Sequence, residues 1–353
     1  MSKKPMKAFD ALQEAQKIAF APFVFQATVS LRNLGILDFI LDNNANGGVT
    51  IHEISRGTNV SEYGLGVLLE IAESANIVDK GEDKKYELTK IGYFLNSNQM
   101  TSANINFTQD ICYQGLYHLQ EAIETGKPSG LKELGSWPTI YEGLSELKPK
   151  EQKSWFAFDH YYSDEIFGEA LETVFEKKPK LLYDIGGNTG KFANLCCTYD
   201  EDVTVRIFDL PGQLHKALEN AKNKGFENRI LGTEIDWLSD SPTIPEGADT
   251  IWMSQFLDCF SKEEIVKILK IAANAMGSET ELVIIETYTD RQKFDSAKLT
   301  LEATSLYFTA MANGNSKMYK AEEFKTLVKE AGLTIEADTK IGEFHTMFRC
   351  KKL

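Results

Sequence analysis

Three glycines and two aspartates between residues 184 and 209 carry the chemistry most readily read from this chain. Gly186, Gly187 and Gly190 follow Leu181, Leu182, Tyr183 and Ile185, an apolar run that suits a buried strand passing into a tight turn and a helix start. Such a turn lets the backbone lie against a nucleoside-bearing cofactor. The spacing is not the dinucleotide fingerprint G-x-G-x-x-G, because Asn188 and Lys191 stand where its second and third glycines would fall. Asp184, at the strand end, opposes a pyrophosphate and favours an ammonium and a sulfonium. The cofactor with those groups is S-adenosylmethionine. Nineteen residues past Gly190, Asp209 closes a second strand, where a carboxylate accepts hydrogen bonds from two ribose hydroxyls. Dinucleotides need that acid too, so Asp209 supports an adenosine and Asp184 chooses between the cofactors.

The elements that must hold these residues follow from periodicity. After Pro179, strands are expected at Leu181–Ile185, Val203–Phe208, Arg229–Leu231, Thr250–Met253, Glu281–Glu286 and Thr346–Cys350. Helices are expected between most of them, at Phe192–Thr198, Gln213–Lys222, Lys262–Ala275 and Ala321–Ala331. That alternation is a doubly wound α/β domain, with its ligand at the carboxyl ends of the strands. Upstream, apolar residues recur at helical spacing from Phe9 to about Ile40, as one or two amphipathic helices. Thr50 with Glu53 reads as a capped helix start, Ser61 begins a second helix through Ala75, and Ile77–Leu88 reads as a hairpin turning at Gly81. Helix, helix and hairpin make a winged helix.

Residues 100–175 read as helical and aromatic-rich, a segment suited to covering a pocket. His160, Tyr161 and Tyr162 lie in an aromatic stretch that either lines an acceptor site or packs a helix on the core. His118 is a further imidazole in this segment. Met311 and Met318 leave the same choice between a flat apolar pocket and helix packing. Lys298 and Glu302, one turn apart, read as an exposed ion pair.

The 353 residues suffice for two domains, and the net charge of -14 argues against nonspecific binding to nucleic acid or to an anionic membrane. Residues 1–100 hold 10 Lys/Arg against 12 Asp/Glu, and the second winged-helix helix has only Glu62, Glu70 and Glu73 as charges, a poor surface for DNA. The five cysteines have no C-x-x-C spacing, so free thiols, a cytoplasmic setting and no metal site are expected. Between Ile18 and Leu41, Pro22, Gln26, Arg32, Asn33 and Asp38 break what would otherwise be a membrane span.

Residues from about 180 onward, and more loosely the whole chain, resemble the class I small-molecule O-methyltransferases of plant phenolic and bacterial natural-product type. The resemblance rests on Asp184-Ile-Gly-Gly-Asn-Thr-Gly190, Phe208-Asp-Leu-Pro211, Asp236-Trp237, Met253 to Glu264 and Lys317 to Phe324. It implies that the glycine loop holds the methionine part of S-adenosylmethionine and that Asp209, with Leu210 after it, holds the ribose. Asp236 and Trp237 would flank the adenine, and Ser254 and Gln255 would approach the cofactor. It also implies a Rossmann-like catalytic domain at 176–353, a helical lid over a small-molecule acceptor at 101–175, and a winged-helix domain at 1–100 that makes a homodimer.

One departure concerns the chemistry. Where the family has a histidine base followed by an aspartate and an aromatic, this chain reads Asp258, Cys259 and Phe260. The family's first orienting glutamate is kept as Glu286, and its second is replaced by Met318. Asp258 and Glu286 are therefore the expected catalytic pair, two carboxylates in a site built for an imidazole. Sharing a dry site, they would hold one proton between them and act as base. An acceptor already ionised at neutral pH would need no base, and His160 or His118 is a third source of one. The rival readings are a cofactor-binding protein that has lost methyl transfer and a winged-helix transcription regulator.

Overall fold

Helix α1 (Ala8–Asn33) runs through Pro22 and stops where Gly35, at φ +69°, lets the chain turn into α2 (Ile36–Asn43). These coordinates, a computed structural model, describe residues 6–353; the first five residues of the expected 1–100 domain lie outside that range. A two-residue strand β1 (Val49–Thr50) leads into α3 (Ile51–Thr58), where Thr50 and Glu53 form the capping box their spacing calls for. Ser61 caps α4 (Glu62–Ser74), and β2 (Val78–Lys80) and β3 (Lys85–Leu88) form the wing, with β1 on the other side of β3. Helices α5 (Lys90–Ser97) and α6 (Gln99–Phe107) complete this unit, which parts from the rest between Gln109 and Asp110. Its core gathers Leu31, Ile36, Leu37, Ile40, Ile54, Leu65 and Leu69.

The second unit begins with four helices, α7 (Leu119–Thr125), α8 (Ile140–Gly143), α9 (Pro149–Asp164) and α10 (Phe167–Phe175). The α/β part then runs β4 (Leu181–Ile185), α11 (Lys191–Tyr199), β5 (Thr204–Asp209), α12 (Pro211–Asn223), β6 (Ile230–Glu234) and β7 (Thr250–Ser254). It continues with α13 (Lys262–Ala275), β8 (Glu281–Thr287), α14 (Asp295–Tyr307), α15 (Ala321–Glu330), β9 (Leu333–Ile341) and β10 (His345–Lys352).

The seven strands lie in the order β6-β5-β4-β7-β8-β10-β9, parallel from β6 to β8, with β10 antiparallel to both neighbours. One face of the sheet packs Tyr183, Ile284 and Phe348 on Ile265, Leu269 and Phe324 of α13 and α15. The other packs Leu182, Ile207 and Trp252 on α10, α11 and α12, with Phe192 stacked on Trp252 at 3.9 Å between ring centroids. Because β4 is central and buried on both faces, its end is held rigidly, and the glycine loop leaves from there. The strand order reverses beside β4, between β4 and β7, which is where doubly wound sheets open a ligand crevice.

Each expected strand and helix of this unit is present, and β9 was not expected. Only Leu333 and Ile341, its two ends, are fully buried, so as an edge strand it lacks the alternation that marks a half-buried one. Lys298 and Glu302 do pair, 3.5 Å apart and about half exposed. Among the described residues no single helix is long and apolar enough to cross a membrane.

Candidate active site

Asp184 is only 2% exposed, and its Oδ2 has no hydrogen-bond partner among the described residues. Burial, and after it the charge of Asp209, pushes this carboxyl up to about 7. The loop folds back over it: a Cβ on Gly187 would come within 2.8 Å of Asp184 Oδ2 and of Ile207. Gly186 and Gly190 take φ of +70° and +73°, and Asn188 between them takes +50°. Asp209 accepts the backbone N–H of Asn188 on Oδ2 (2.8 Å) and of Leu210 on Oδ1 (2.7 Å). Burial raises Asp209 to about 6 against the pull of those two amides.

Just after β6, Asp236 accepts the amide of Leu238 at 2.9 Å, and Trp237 is buried with no partner for its indole N–H among the described residues. Ser254 Oγ and Gln255 Nε2, at the end of β7, are likewise buried without partners, and Gln255 has φ +48°. The Phe256 ring lies directly over Gly186, so a Cβ there would fall 2.3 Å from it, and it meets Trp237 edge-on at 5.9 Å. Glycines that any side chain would crowd, an orphaned buried carboxylate, and further orphaned donors at one end of the sheet suit a cofactor with an ammonium, a ribose and a purine.

Asp258 sits in the turn after β7, 7% exposed, and accepts the Cys259 S–H at 3.5 Å. Glu286, near the end of β8 and 1% exposed, takes the amides of Phe256 (3.1 Å) and Leu257 (2.8 Å) on Oε1, while Oε2 has no partner. Glu286 thus clasps the turn that presents Asp258. Burial raises Asp258 to about 7; it lifts Glu286 far above the usual carboxylate range, with the charge of Asp258 as the next cause. Asn313 Nδ2 donates to Cys259 O at 2.6 Å and the Tyr319 hydroxyl donates to Phe260 O at 2.7 Å, fixing the turn from its other side.

The remaining expected residues are dispersed. His160 Nδ1 lies 3.4 Å from Asp164, which also pairs with Lys191, and the imidazole stacks on Phe156. That bond to Asp164 is the main reason its pKa is raised, so His160 favours the charged form, which is not a base. His118 lies between Glu121 and Glu133. Tyr161 has the charges of Glu165 and Glu343 near it, and Tyr162 packs against Phe158 and Phe344. Met311 is fully buried with its sulfur against Gly115 and Gly130, the packing alternative for this residue. Met318 Sδ accepts the Thr287 hydroxyl at 3.7 Å, beside Glu286 in β8.

Two residues join the site that the sequence did not single out. Phe256 lies inside the stretch from Met253 to Glu264, and its place over the glycine loop depends on the left-handed backbone at Gln255. Asp159, hidden in the aromatic stretch of α9, accepts Asn188 Nδ2 at 3.0 Å and ties that helix to the glycine loop.

A doubly wound sheet with an acid-flanked glycine loop at its carboxyl edge, capped by helices, defines a group-transfer enzyme using an adenosine cofactor. The chain belongs to the O-methyltransferase domain family, whose model matches residues 117–334, and a Dimerisation2-like domain matches residues 13–86. It is an S-adenosylmethionine-dependent methyltransferase. The O-methyltransferase SfmM3 of Streptomyces lavendulae is 25% identical over 91% of this chain and 94% of its own. The L-tyrosine C(3)-methyltransferase of Streptomyces lavendulae is 21% identical over 92% of this chain and 87% of its own. Among solved structures, the mitomycin 7-O-methyltransferase MmcR has the same fold, with a TM-score of 0.73 at 19% identity over 97% of this chain and 98% of its own.

Proposed function

We propose that this chain methylates a hydroxyl oxygen of a small aromatic or conjugated molecule, with Asp258 and Glu286 as a proton-sharing pair in place of the family's imidazole. The observation that carries the reading is geometric: both carboxyls are buried, Glu286 holds through the Phe256 and Leu257 amides the turn that presents Asp258, and its Oε2 has no partner among the described residues. S-adenosylmethionine supplies the methyl group as an electrophile on sulfur. Asp184 would receive its ammonium, Gly186 and Gly187 would leave room for its methionine part, and Asp209 would take the ribose hydroxyls. Trp237, with Asp236, would flank the adenine, and Ser254 and Gln255 would present their free donors. Asp258, ionised while Glu286 keeps its proton, would accept the proton leaving the acceptor hydroxyl. Helices α8 to α10 and α14 would enclose that acceptor and exclude water.

Oxygen is chosen over carbon because the matching family model is an O-methyltransferase domain and SfmM3 is an O-methyltransferase, although an L-tyrosine C(3)-methyltransferase stands among the relatives. The N-terminal unit would pair two copies. The test is turnover across a panel of phenols and catechols. Asp258→Ala and Glu286→Ala are each expected to lose about a hundredfold or more while S-adenosylhomocysteine still binds. Near-wild-type rates in both variants would sink the pair as base. The wild-type rate should rise as pH is raised through about 7, where Asp258 gives up its proton; a flat rate between about pH 6 and 9 would favour an acceptor that arrives ionised.

A further inference from the structure

Asn188 and Lys191, the two residues that set the glycine loop apart from the dinucleotide fingerprint, are both gripped by one helix. Asn188 Nδ2 donates to Asp159 Oδ2 at 3.0 Å, and the Lys191 ammonium pairs with Asp164. Both acids lie in the second half of α9, where His160 Nδ1, 3.4 Å from Asp164, braces the second contact. The two halves of α9 are held differently. In the first, Ser154 Oγ donates to Asp110 Oδ2 at 2.7 Å and the Trp155 indole N–H donates to the Tyr307 hydroxyl at 2.8 Å, and these are the fully buried side chains of the helix. From Phe156 to Asp164 none is fully buried, and Tyr162 adds an edge-on ring contact to Phe344 at 6.2 Å. Full burial resumes at Ile166 and Phe167, where α10 starts. A segment of low burial between two buried anchors opens at less cost than its surroundings.

The loop lies over Asp184, whose Oδ2 is closed to solvent, and α9 is fastened to the loop. A cofactor's ammonium reaches that oxygen only when this covering moves. Asn188 has the contacts of a catch. Its backbone N–H is on Asp209 at 2.8 Å, its side chain donates to Asp159, and its Oδ1, buried without a partner among the described residues, is left as an acceptor. At φ +50° its backbone is one that glycine adopts more easily, so the turn alone does not call for asparagine.

We propose that the second half of α9 is a lid over the methionine end of the cofactor site, with Asp159 and Asp164 as positioning residues that latch it to Asn188 and Lys191. The proposal rests on the reading that the glycine loop holds the methionine part, and it assigns the step that admits and releases the cofactor. With the latch shut, the Asn188 amide is oriented with Oδ1 as an acceptor for the ammonium. A bound cofactor and a shut lid therefore stabilise each other.

The test needs no turnover. Stopped-flow tryptophan fluorescence measures how fast S-adenosylhomocysteine enters and leaves, and hydrogen exchange follows the amides of residues 156–164. In the wild type, S-adenosylhomocysteine is expected to slow exchange in that segment. Asn188→Gly keeps the left-handed backbone and removes the catch, and Lys191→Met removes the second contact. Each is expected to speed both entry and release, release by at least about tenfold, because a bond to a charged group is lost. A site that is merely looser releases its ligand faster without admitting it faster. Asp159→Asn can still accept from the Asn188 amide and should stay close to the wild type, whereas Asp159→Leu should behave as Asn188→Gly. Faster release with unchanged or slower entry, exchange that S-adenosylhomocysteine does not slow, or Asp159→Asn as fast as Asp159→Leu would overturn the lid. A wild type that binds no S-adenosylhomocysteine at millimolar concentration would instead overturn the cofactor reading beneath it.

Discussion

Asp184 is held in a state its own chemistry opposes, since a carboxyl with one unpartnered oxygen is kept dry beneath a glycine loop. Its pKa in the folded chain, about 7, lies above the ordinary 3.8, so the folded state binds this proton more tightly than the unfolded one. The sign follows. Well below the ordinary 3.8 the group is protonated in both states and costs nothing; the cost grows as pH rises towards 7 and is complete above it. At 1.36 kcal/mol per pH unit the ceiling is roughly 4 kcal/mol. Asp184→Asn should therefore melt higher than the wild type at pH 8, with the gap shrinking as pH falls below about 7 and closing by about pH 3, while affinity for S-adenosylhomocysteine falls about a hundredfold or more. Thermal unfolding across pH, with calorimetry on the same samples, checks both halves. A variant less stable than the wild type at pH 8 would show that the buried charge is compensated. His345 is the opposite case: burial lowers it to about 4, and neither ring nitrogen has a partner among the described residues. Its burial as a neutral ring costs stability as pH falls from about 6.5 towards 4, so His345→Phe should gain on the wild type in that window and not at pH 8.

Helix α13 shows how an element carries the site. Ser261 accepts the Glu264 amide at 3.4 Å and its own N–H donates to Glu264 Oε2 at 2.8 Å, so the helix starts directly after the turn holding Asp258. Ser261→Ala should cost about 1 kcal/mol in urea unfolding and, by freeing the turn, lower turnover more than cofactor affinity. An unchanged unfolding midpoint would mean the box contributes nothing. The helix at Lys262–Ala275, the box at Thr50, and strands β4 to β8 were all legible in the sequence, because local spacing determines them, whereas the cap at Ser261 was not singled out. The glycine loop and its two aspartates were legible because the chemistry of the cofactor requires them. Edge strand β9 was not, since only its two ends are fully buried and the residues between them do not alternate. Asp159 was hidden for another reason: its neighbours in α9 are aromatic, and only the tertiary fold brings it to Asn188. His160 was legible as a candidate and is turned to Asp164 by a partner one helical turn away.

At the scale of the whole molecule, the N-terminal unit leaves apolar surface that its own core does not use. Along α1, Phe9 is 70% exposed and Ile18 77%, with Leu12, Phe20 and Phe23 also more than half exposed. These residues are apolar, on a helix whose buried side chains begin only at Thr28, and the Dimerisation2-like match spans most of the same helix. Phe9, Leu12, Phe20 and Phe23 share one face of the helix, a surface that would suit another chain, and a second copy would meet it with the same chemistry. Charge opposes that encounter. Each chain carries -14, while residues 1–100 are nearly neutral, so repulsion between copies is long-ranged and the contact itself is not. Added salt screens the former over about 10 Å at 0.1 M and leaves the hydrophobic contact intact. The dimer should therefore tighten between about 20 and 300 mM salt, the reverse of an interface held by ion pairs. In sedimentation or light scattering the wild type is expected at twice the 39.6 kDa chain mass, and Phe20→Asp with Phe23→Asp at the chain mass. A wild type that stays monomeric at micromolar concentration would remove the dimer, and a dimer weakened by salt would place its contact on charged residues instead of α1.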